Sequence, residues 1–407
     1  MEGFFSPRSV AIIGASSDKH SVGFSLFKNA VNSGLRVFPV NPNHSSINGV
    51  VCYSSVLALK SIPDVAVVAV PSLVVPSVLE ECGLLGVKNV IIISAGFSEV
   101  GNVELSDKVK SIISKYKLKV LGPNCLGVIT PKLNLSFFDG KVLGGDVVFV
   151  SQSGALGTGL IDYLSSFGLG FRAFISLGNM FNTSFTDVIN HFSGAKLFVL
   201  YVESFRDGLK LLRACKDENV VILAGGLTKS GSKAVSTHTA SLGSNVNILN
   251  GVFKQFGVVK AESLSDVVGL VKSFHSRPKG SNALVVSNAG GLLVLAVDAL
   301  SGNGFNIVKS VDLLGDATPE KFKSFFSSVK GFDFSVLLLT PQSVTDILGI
   351  SKEFVSFVKR SHKPGFAILL GGDSVSKGVK FLEENNIPVF SDPLILSRII
   401  SLLNSGN

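Results

Sequence analysis

Cysteine and charge are scarce in this chain, and long apolar runs are missing. Four cysteines, Cys52, Cys82, Cys125 and Cys215, are spread over 407 residues with no CxxC pair. That spacing argues against a metal site and for a reducing, cytoplasmic compartment. Charged residues make up 16% of the chain. The net charge is +8, but lysine and arginine are scattered, and no basic block carries interleaved aromatics. Nucleic acid is therefore not an expected partner. An anionic ligand or an acidic partner subunit would benefit from the positive field. No apolar run reaches the roughly 18 to 20 residues of a membrane span. The longest candidate, residues 65–79, is cut by Pro71 and Pro76. The first residues, MEGFFSPRSV, lack the basic start and apolar stretch of a signal peptide. Neither a membrane nor a leader is expected.

What the chain does have is short apolar runs, such as 65–70, 90–93 and 336–339. Runs of this kind suit parallel strands buried on both faces. They alternate with helical patterns, so the expected fold class is α/β, with doubly wound sheets. The length allows two to four domains. A first unit runs from about residue 5 to 125. Its strands are expected at 9–13, 37–40, 65–70, 90–94 and 119–121, and its helices at 22–32, 74–85 and 104–116. A second unit starts near Gly145, with strands at 147–150, 171–175, 197–202 and 220–223, and ends with a helix at 264–274. Residues 275–281, HSRPKGS, read as a linker. A third unit follows, with strands at 283–287, 336–340 and 366–370.

Three strand-to-helix turns stand out. In the first, Gly14, Ala15, Ser16 and Ser17 follow a strand, and Val22 and Gly23 open a helix. This suits a phosphate cradle, but it is not G-x-G-x-x-G. The second expected strand ends at Val40, Asn41, Pro42 and Asn43, without the carboxylate that holds ribose in dinucleotide sites. A nucleotide with a 3′-phosphate would not want that carboxylate. Later loops with Pro71, Ser94 and Ala95 fall at the same carboxyl edge, where ligands bind. The other two turns open units two and three alike: VVFVSQSGALGTGL at 147–160 and ALVVSNAGGLLVLA at 283–296. Helix-start N–H groups there would face an anion. Between 224 and 243 lies a polar stretch with His238, Lys229 and Lys233. Its imidazole could carry a phosphoryl group; a flexible loop with an incidental histidine is the plainer alternative.

Taken together, the stretches SVAIIGASSDKHSVG, VFPVNPN, SAGFSEVG, LGPNCLGVI, FVSQSGALGTGL, SLGNM, THTASLG, SNAGG, GDATPE and TPQSVTD resemble the alpha subunit of ADP-forming acyl-CoA synthetases, relatives of succinyl-CoA synthetase. Their order and spacing match nearly end to end. The resemblance implies a Rossmann-like CoA-binding domain (1–127), a phosphohistidine-bearing ligase domain (145–275) and a second flavodoxin-like ligase domain (281–407). It implies the reaction acyl-CoA + ADP + phosphate ⇌ acid + ATP + CoA, through an acyl phosphate and a phosphohistidine. His238 would be the phosphorylated residue and Glu203 the carboxylate that holds it. CoA would bind at Gly14, Ala15, Ser16, Val22, Gly23, Asn41, Pro71, Ser94 and Ala95. Phosphate would face Ser151, Gln152, Ser153 and Gly154 from one side, and Asn288, Ala289, Gly290 and Gly291 from the other. Asn124 and Asn179 would border the acyl group. Cys125 reads as a small buried residue rather than a nucleophile.

The chain also departs from the family pattern. Ala224 and Leu227 stand where many relatives carry lysine and arginine, and the third unit is short before Val311 and Asp312. No stretch resembles an ATP-grasp domain. The resemblance therefore implies a separate ATP-grasp beta subunit that holds Mg and ADP or ATP, in an α2β2 heterotetramer. A non-catalytic CoA-binding protein is the alternative. An NAD-dependent oxidoreductase rests only on the Rossmann-like first unit.

Overall fold

The structure is a computed structural model. It describes the chain except residues 141, 206–207, 229, 232, 234–245 and 406–407; the side chains of 246–250 and 405 are also outside the description. The chain divides into two compact units, residues 1–262 and 263–407.

The first unit holds two sheets. The first is built from β1 (Ser9–Ile13) and β2 (Arg36–Val40), then, after a small hairpin of β3 (Ser46–Ile47) and β4 (Val50–Val51), from β5 (Val65–Val68), β6 (Asn89–Ile92) and β7 (Lys119–Leu121). Its order is β2-β1-β5-β6-β7, and all pairs are parallel. Val65, Ala66, Val67 and Val68 are fully buried, because helices cover both faces of the sheet. The helix Val22–Asn32 starts where the Ser21 side chain accepts the Phe24 N–H.

The second sheet contains β8 (Gly127–Thr130), β9 (Leu133–Ser136), β10 (Gly144–Ser151), β11 (Phe171–Ser176), β12 (Leu197–Val202), β13 (Val220–Ala224) and β14 (Val259–Ala261). Its order is β14-β13-β12-β10-β11-β8-β9. β8 and β9 form an antiparallel hairpin that joins the edge at β11. The two sheets share one apolar cluster, which includes Val67, Leu121, Val150 and Ile175. Polar groups also tie them. Asn182 accepts the Val120 N–H at 2.8 Å and donates to the Leu118 carbonyl at 2.7 Å, and Lys119 pairs with Asp187 at 2.9 Å.

The second unit has one parallel sheet, β16-β15-β17-β18-β19, from β15 (Asn282–Ser287), β16 (Asn306–Asp312), β17 (Phe334–Leu339), β18 (Gly365–Leu369) and β19 (Val389–Phe390). The stretch read as a linker is docked here. The Ser276 hydroxyl donates to the Asn386 carbonyl, and Arg277 Nε donates to the Leu403 carbonyl at 2.8 Å. Partners more than 100 residues away in sequence hold it, which no local pattern signals.

In each sheet the strand order reverses beside one central strand: β1 next to β5, β10 next to β12, and β15 next to β17. Such switch points splay the following loops apart and open a crevice at the carboxyl edge. All three turns singled out in the sequence fall there.

Candidate functional site

At the first switch point Gly14 has φ +89°, and a Cβ there would run into the Ala69 carbonyl. Only glycine fits both demands. Gly23 is buried, and a Cβ on it would strike the Gly14 carbonyl, so the helix is drawn tight onto the turn. Asn41 braces the turn: its Nδ2 donates to the Ala15 carbonyl at 2.8 Å, and its Oδ1 accepts the Asn43 N–H. Ala15 is fully buried and can offer a ligand only backbone. The Ser16 hydroxyl accepts the Asp18 N–H.

Two clefts open beside this turn. One, of about 510 Å³, is lined by Gly14, Asn41, Pro71, Ser55 and Glu81 among others. The next, of about 450 Å³, is lined by Val22, Ser94, Ala95, Asn124, Cys125 and Gly154 among others. Both include Ala69 and Val70 in their walls, so they adjoin. The Ser94 hydroxyl locks the loop between them, donating to the Val70 carbonyl at 2.6 Å and accepting its N–H. Cys125 is buried and donates to the Ile92 carbonyl; burial pushes its thiol up to about 12, far from a thiolate.

Asn179, which follows β11 of the second sheet, is tied to the loops of the first. Its amide donates to Glu99 at 2.6 Å, and its N–H donates to the Pro123 carbonyl. Burial pushes the Glu99 carboxyl up. The Gly96 N–H, the Asn179 amide and the Phe97 N–H outweigh that and hold it below the ordinary carboxylate range.

At the second switch point the Ser151 hydroxyl donates to the Ser153 carbonyl at 2.6 Å and accepts the Ser153 N–H. Gln152 is buried. Its Oε1 accepts the N–H groups of Glu203 and Ser204 at 2.6 and 3.0 Å, and its Nε2 donates to the Ser204 hydroxyl. Its side chain is thus spent on the neighbouring strand end. Glu203 is brought against this turn. Burial pushes the Tyr201 phenol up to about 12, and the Glu203 carboxylate it hydrogen-bonds pushes it the same way. His238 and Lys229 lie outside the described residues, while Lys233 is exposed.

The third switch point repeats this wiring in the second unit. The Ser287 hydroxyl donates to the Ala289 carbonyl and accepts its N–H, both at 2.9 Å. Asn288 is buried; it accepts the Thr340 N–H and donates to the Thr340 carbonyl and Gln342. Gly290 and Gly291 open the helix Gly290–Gly302.

The lining also includes residues that the sequence reading missed. Glu81 and Ser55 reach the first cleft from elements far from the glycine turn, and Phe137 reaches the second from beyond β9. None sits in a motif; only the strand order brings them in.

Two family models match the chain: a CoA binding domain over residues 8–131 and a succinyl-CoA ligase like flavodoxin domain over residues 144–274. The chain is 36% identical over 431 residues to the ADP-forming acetate–CoA ligase of Methanocaldococcus jannaschii, across 95% of this chain. It spans only 60% of that relative's length. It is 32% identical to the alpha subunit of ADP-forming acetate–CoA ligase II of Pyrococcus furiosus, covering 96% of this chain and 94% of that subunit. A solved structure, the dinucleotide-forming acetyl-coenzyme A synthetase 1 of Ca. Korarchaeum cryptofilum in complex with phosphate and ADP, matches with a TM-score of 0.90 at 29% identity. The match covers 100% of this chain and 96% of that one.

Proposed function

Because the chain belongs to the family of ADP-forming acetate–CoA ligase alpha subunits, we propose that it interconverts acyl-CoA, ADP and phosphate with acid, ATP and CoA. The observation that carries this reading is the line of adjoining clefts from the Gly14 turn to the helix start at Gly154. CoA lies along it, with its pyrophosphate on the backbone at Gly14, Ala15 and Ser16 and beside the helix start at Val22 and Gly23. Asn41 and Pro71 wall the nucleotide end; Ser94 and Ala95 wall the path to the thioester. Asn124 and Asn179 stand by the acyl group.

A phosphate oxygen attacks the thioester carbonyl carbon, the C–S bond breaks, and CoA leaves as the thiol. An imidazole nitrogen of His238 then attacks phosphorus. The bond between phosphorus and the carboxylate oxygen breaks, and the acid leaves. Glu203 accepts a hydrogen bond from the other ring nitrogen, which fixes the tautomer and supports the developing positive charge. The N–H groups of Gln152, Ser153, Asn288 and Ala289 are held within the fold. The helix start at Ser151, Gln152, Ser153 and Gly154 meets the phosphoryl oxygens with its positive end and the N–H groups from Gly154 on, and the one at Asn288, Ala289, Gly290 and Gly291 with those from Gly290 on. The phosphoryl group finally passes to ADP, held with Mg on a separate ATP-grasp beta subunit in a cytoplasmic α2β2 assembly. The work divides among residues 1–127 for CoA, 145–275 for the phosphohistidine and 281–407 for the second helix start. Among the described residues no helix is long and apolar enough to cross a membrane.

Two variants test this. His238→Ala removes acyl-CoA-dependent ATP formation, read by luciferase with the beta subunit present, and leaves CoA titration unchanged. Gly14→Val weakens CoA binding by about tenfold or more, since a side chain at this positive φ would strike the Ala69 carbonyl and displace the turn. Phosphorylation of His238 from ATP and the beta subunit survives in that variant. ATP synthesis by His238→Ala at the unmutated rate overturns the reading.

A further inference from the structure

The loop after β9 carries one phenylalanine that lines two clefts, and its backbone is pinned on both sides of that residue. Ser136 and Phe138, on either side of Phe137, are both tied down. Asn29, buried in the helix Val22–Asn32, donates to the carbonyls of Ser136 at 2.9 Å and Phe138 at 3.0 Å. Asn134 donates to the same Phe138 carbonyl at 2.9 Å and accepts the Ser136 hydroxyl at 2.6 Å. The Phe138 N–H donates to the Ser136 hydroxyl. Inside this frame Phe137 is itself 38% exposed. A bulky apolar ring left in water on a pinned loop invites an explanation.

Phe137 lines the 450 Å³ cleft of Asn124 and Gly154, and it also lines a further cleft of about 560 Å³. The two clefts have three lining residues in common: Leu126, Phe137 and Ala155. Leu126 is buried, with its N–H held by the Ser176 hydroxyl at 2.9 Å, and Ala155 is a single methyl on the helix Gly154–Ser166. Phe137 is the one large, exposed member of the partition. Beyond it the helix offers Thr158 and Gly159, and a Cβ on Gly159 would meet nothing within 4 Å. The space past the ring is open; Leu126, Phe138 and Ala155 give it apolar wall, and Asp139 and Asp162 also line it.

We propose that Phe137 is the specificity-determining residue for acyl size: it stops the acyl group at the end of the Asn124–Gly154 cleft and shuts off the cleft beyond. This rests on the reading that CoA lies along the line of clefts with its thioester at the Gly154 end. Small acyl groups fit in front of the ring. Branched or aromatic acyl groups need the space behind it.

The purified chain can be titrated calorimetrically with CoA, acetyl-CoA, isovaleryl-CoA and phenylacetyl-CoA, without any partner. Phe137→Ala raises the affinity for isovaleryl-CoA and phenylacetyl-CoA, relative to CoA, by about tenfold, the scale set by a few methylene-sized contacts. Phe137→Leu gives a part of that gain, and acetyl-CoA relative to CoA stays within about twofold in both variants. Unmutated melting temperatures show that the variants are folded, as a surface ring should allow. Unchanged ratios for the bulky thioesters overturn the proposal and assign the ring to a protein contact instead. Failure of the unmutated chain to bind CoA at all would strike the underlying reading.

Discussion

The turn after β10 and the turn after β15 are made of the same parts, yet they end differently. Each has a serine hydroxyl that clasps the backbone two residues on, and a buried amide, Gln152 or Asn288, stapled to the end of the next strand. In the first, Ser153 caps the helix by accepting the Leu156 N–H at 3.3 Å. In the second, Ala289 stands at the cap and its side chain caps nothing. A carboxylate stands nearby instead: a Cβ on Gly290 would lie 2.9 Å from Asp312 Oδ2. The positive end of the second helix therefore already faces an anion of the protein's own. The shared wiring explains why the two sequences look alike. It serves strand-to-strand stapling, whatever the ligand, and the cap position decides how much of the helix end is left for one.

The largest test removes the staples. Gln152→Ala strands two buried N–H groups and should cost about 2–4 kcal/mol; Asn288→Ala strands one and should cost about 2–3 kcal/mol. Differential calorimetry should show the loss in the transition of the unit that carries the change. Loss from both transitions alike would mean that the two staples are not local devices. Exchanging the caps comes next. Ser153→Ala should cost about 1 kcal/mol, and Ala289→Ser should return up to that amount to the second unit. Equal effects of the same sign would break the contrast. Asp312→Asn is smaller: about 0.3–1 kcal/mol lost from the helix end, with inorganic phosphate then raising the melting temperature more than in the unmutated chain. No change in phosphate response would place that carboxylate outside the helix field.

The mildest effect is with pH. The Glu99 carboxyl is held below its ordinary range, so its contribution is full above the unfolded value near 4 and is lost as pH falls through the folded one. Acid should loosen the loop it shares with Asn179, read as faster amide exchange at Gly96 and Phe97. Asn179→Ala should weaken that pH dependence.

The parallel strands were legible because burial on both faces leaves no polar alternation, as in Val65–Val68. The three turns were legible because glycine and small residues interrupt such runs. Gln152 and Asn288 were read as parts of helix starts that face phosphate; that their side chains also brace strand ends 52 residues further on is invisible to local pattern. The hairpin β8–β9 escaped notice because its pairing partner, β11, lies on the far side of β10 in sequence. With it went Phe137. Glu81 lines the first cleft where its carboxylate accepts the Val56 N–H at 2.9 Å, 25 residues away in sequence. His238 and the residues around it were chosen from sequence and remain a proposal.

The helix Leu264–Ser273 has a practical consequence for anyone cutting this gene into pieces. It follows the second sheet in sequence, and the flavodoxin-like family match runs to residue 274. Its packing belongs to the second unit. Arg398 grips Asp266 at 2.9 and 3.1 Å, Lys272 pairs with Glu383 at 2.7 Å, and Val267 and Leu270 are fully buried. A fragment ended at 274 would carry this helix without its cover, baring an apolar face and a carboxylate built for burial. The piece left behind would have a gap of the same shape. An expression boundary after Glu262 avoids both faults, and a first half ended there should stay soluble where one ended at 274 aggregates.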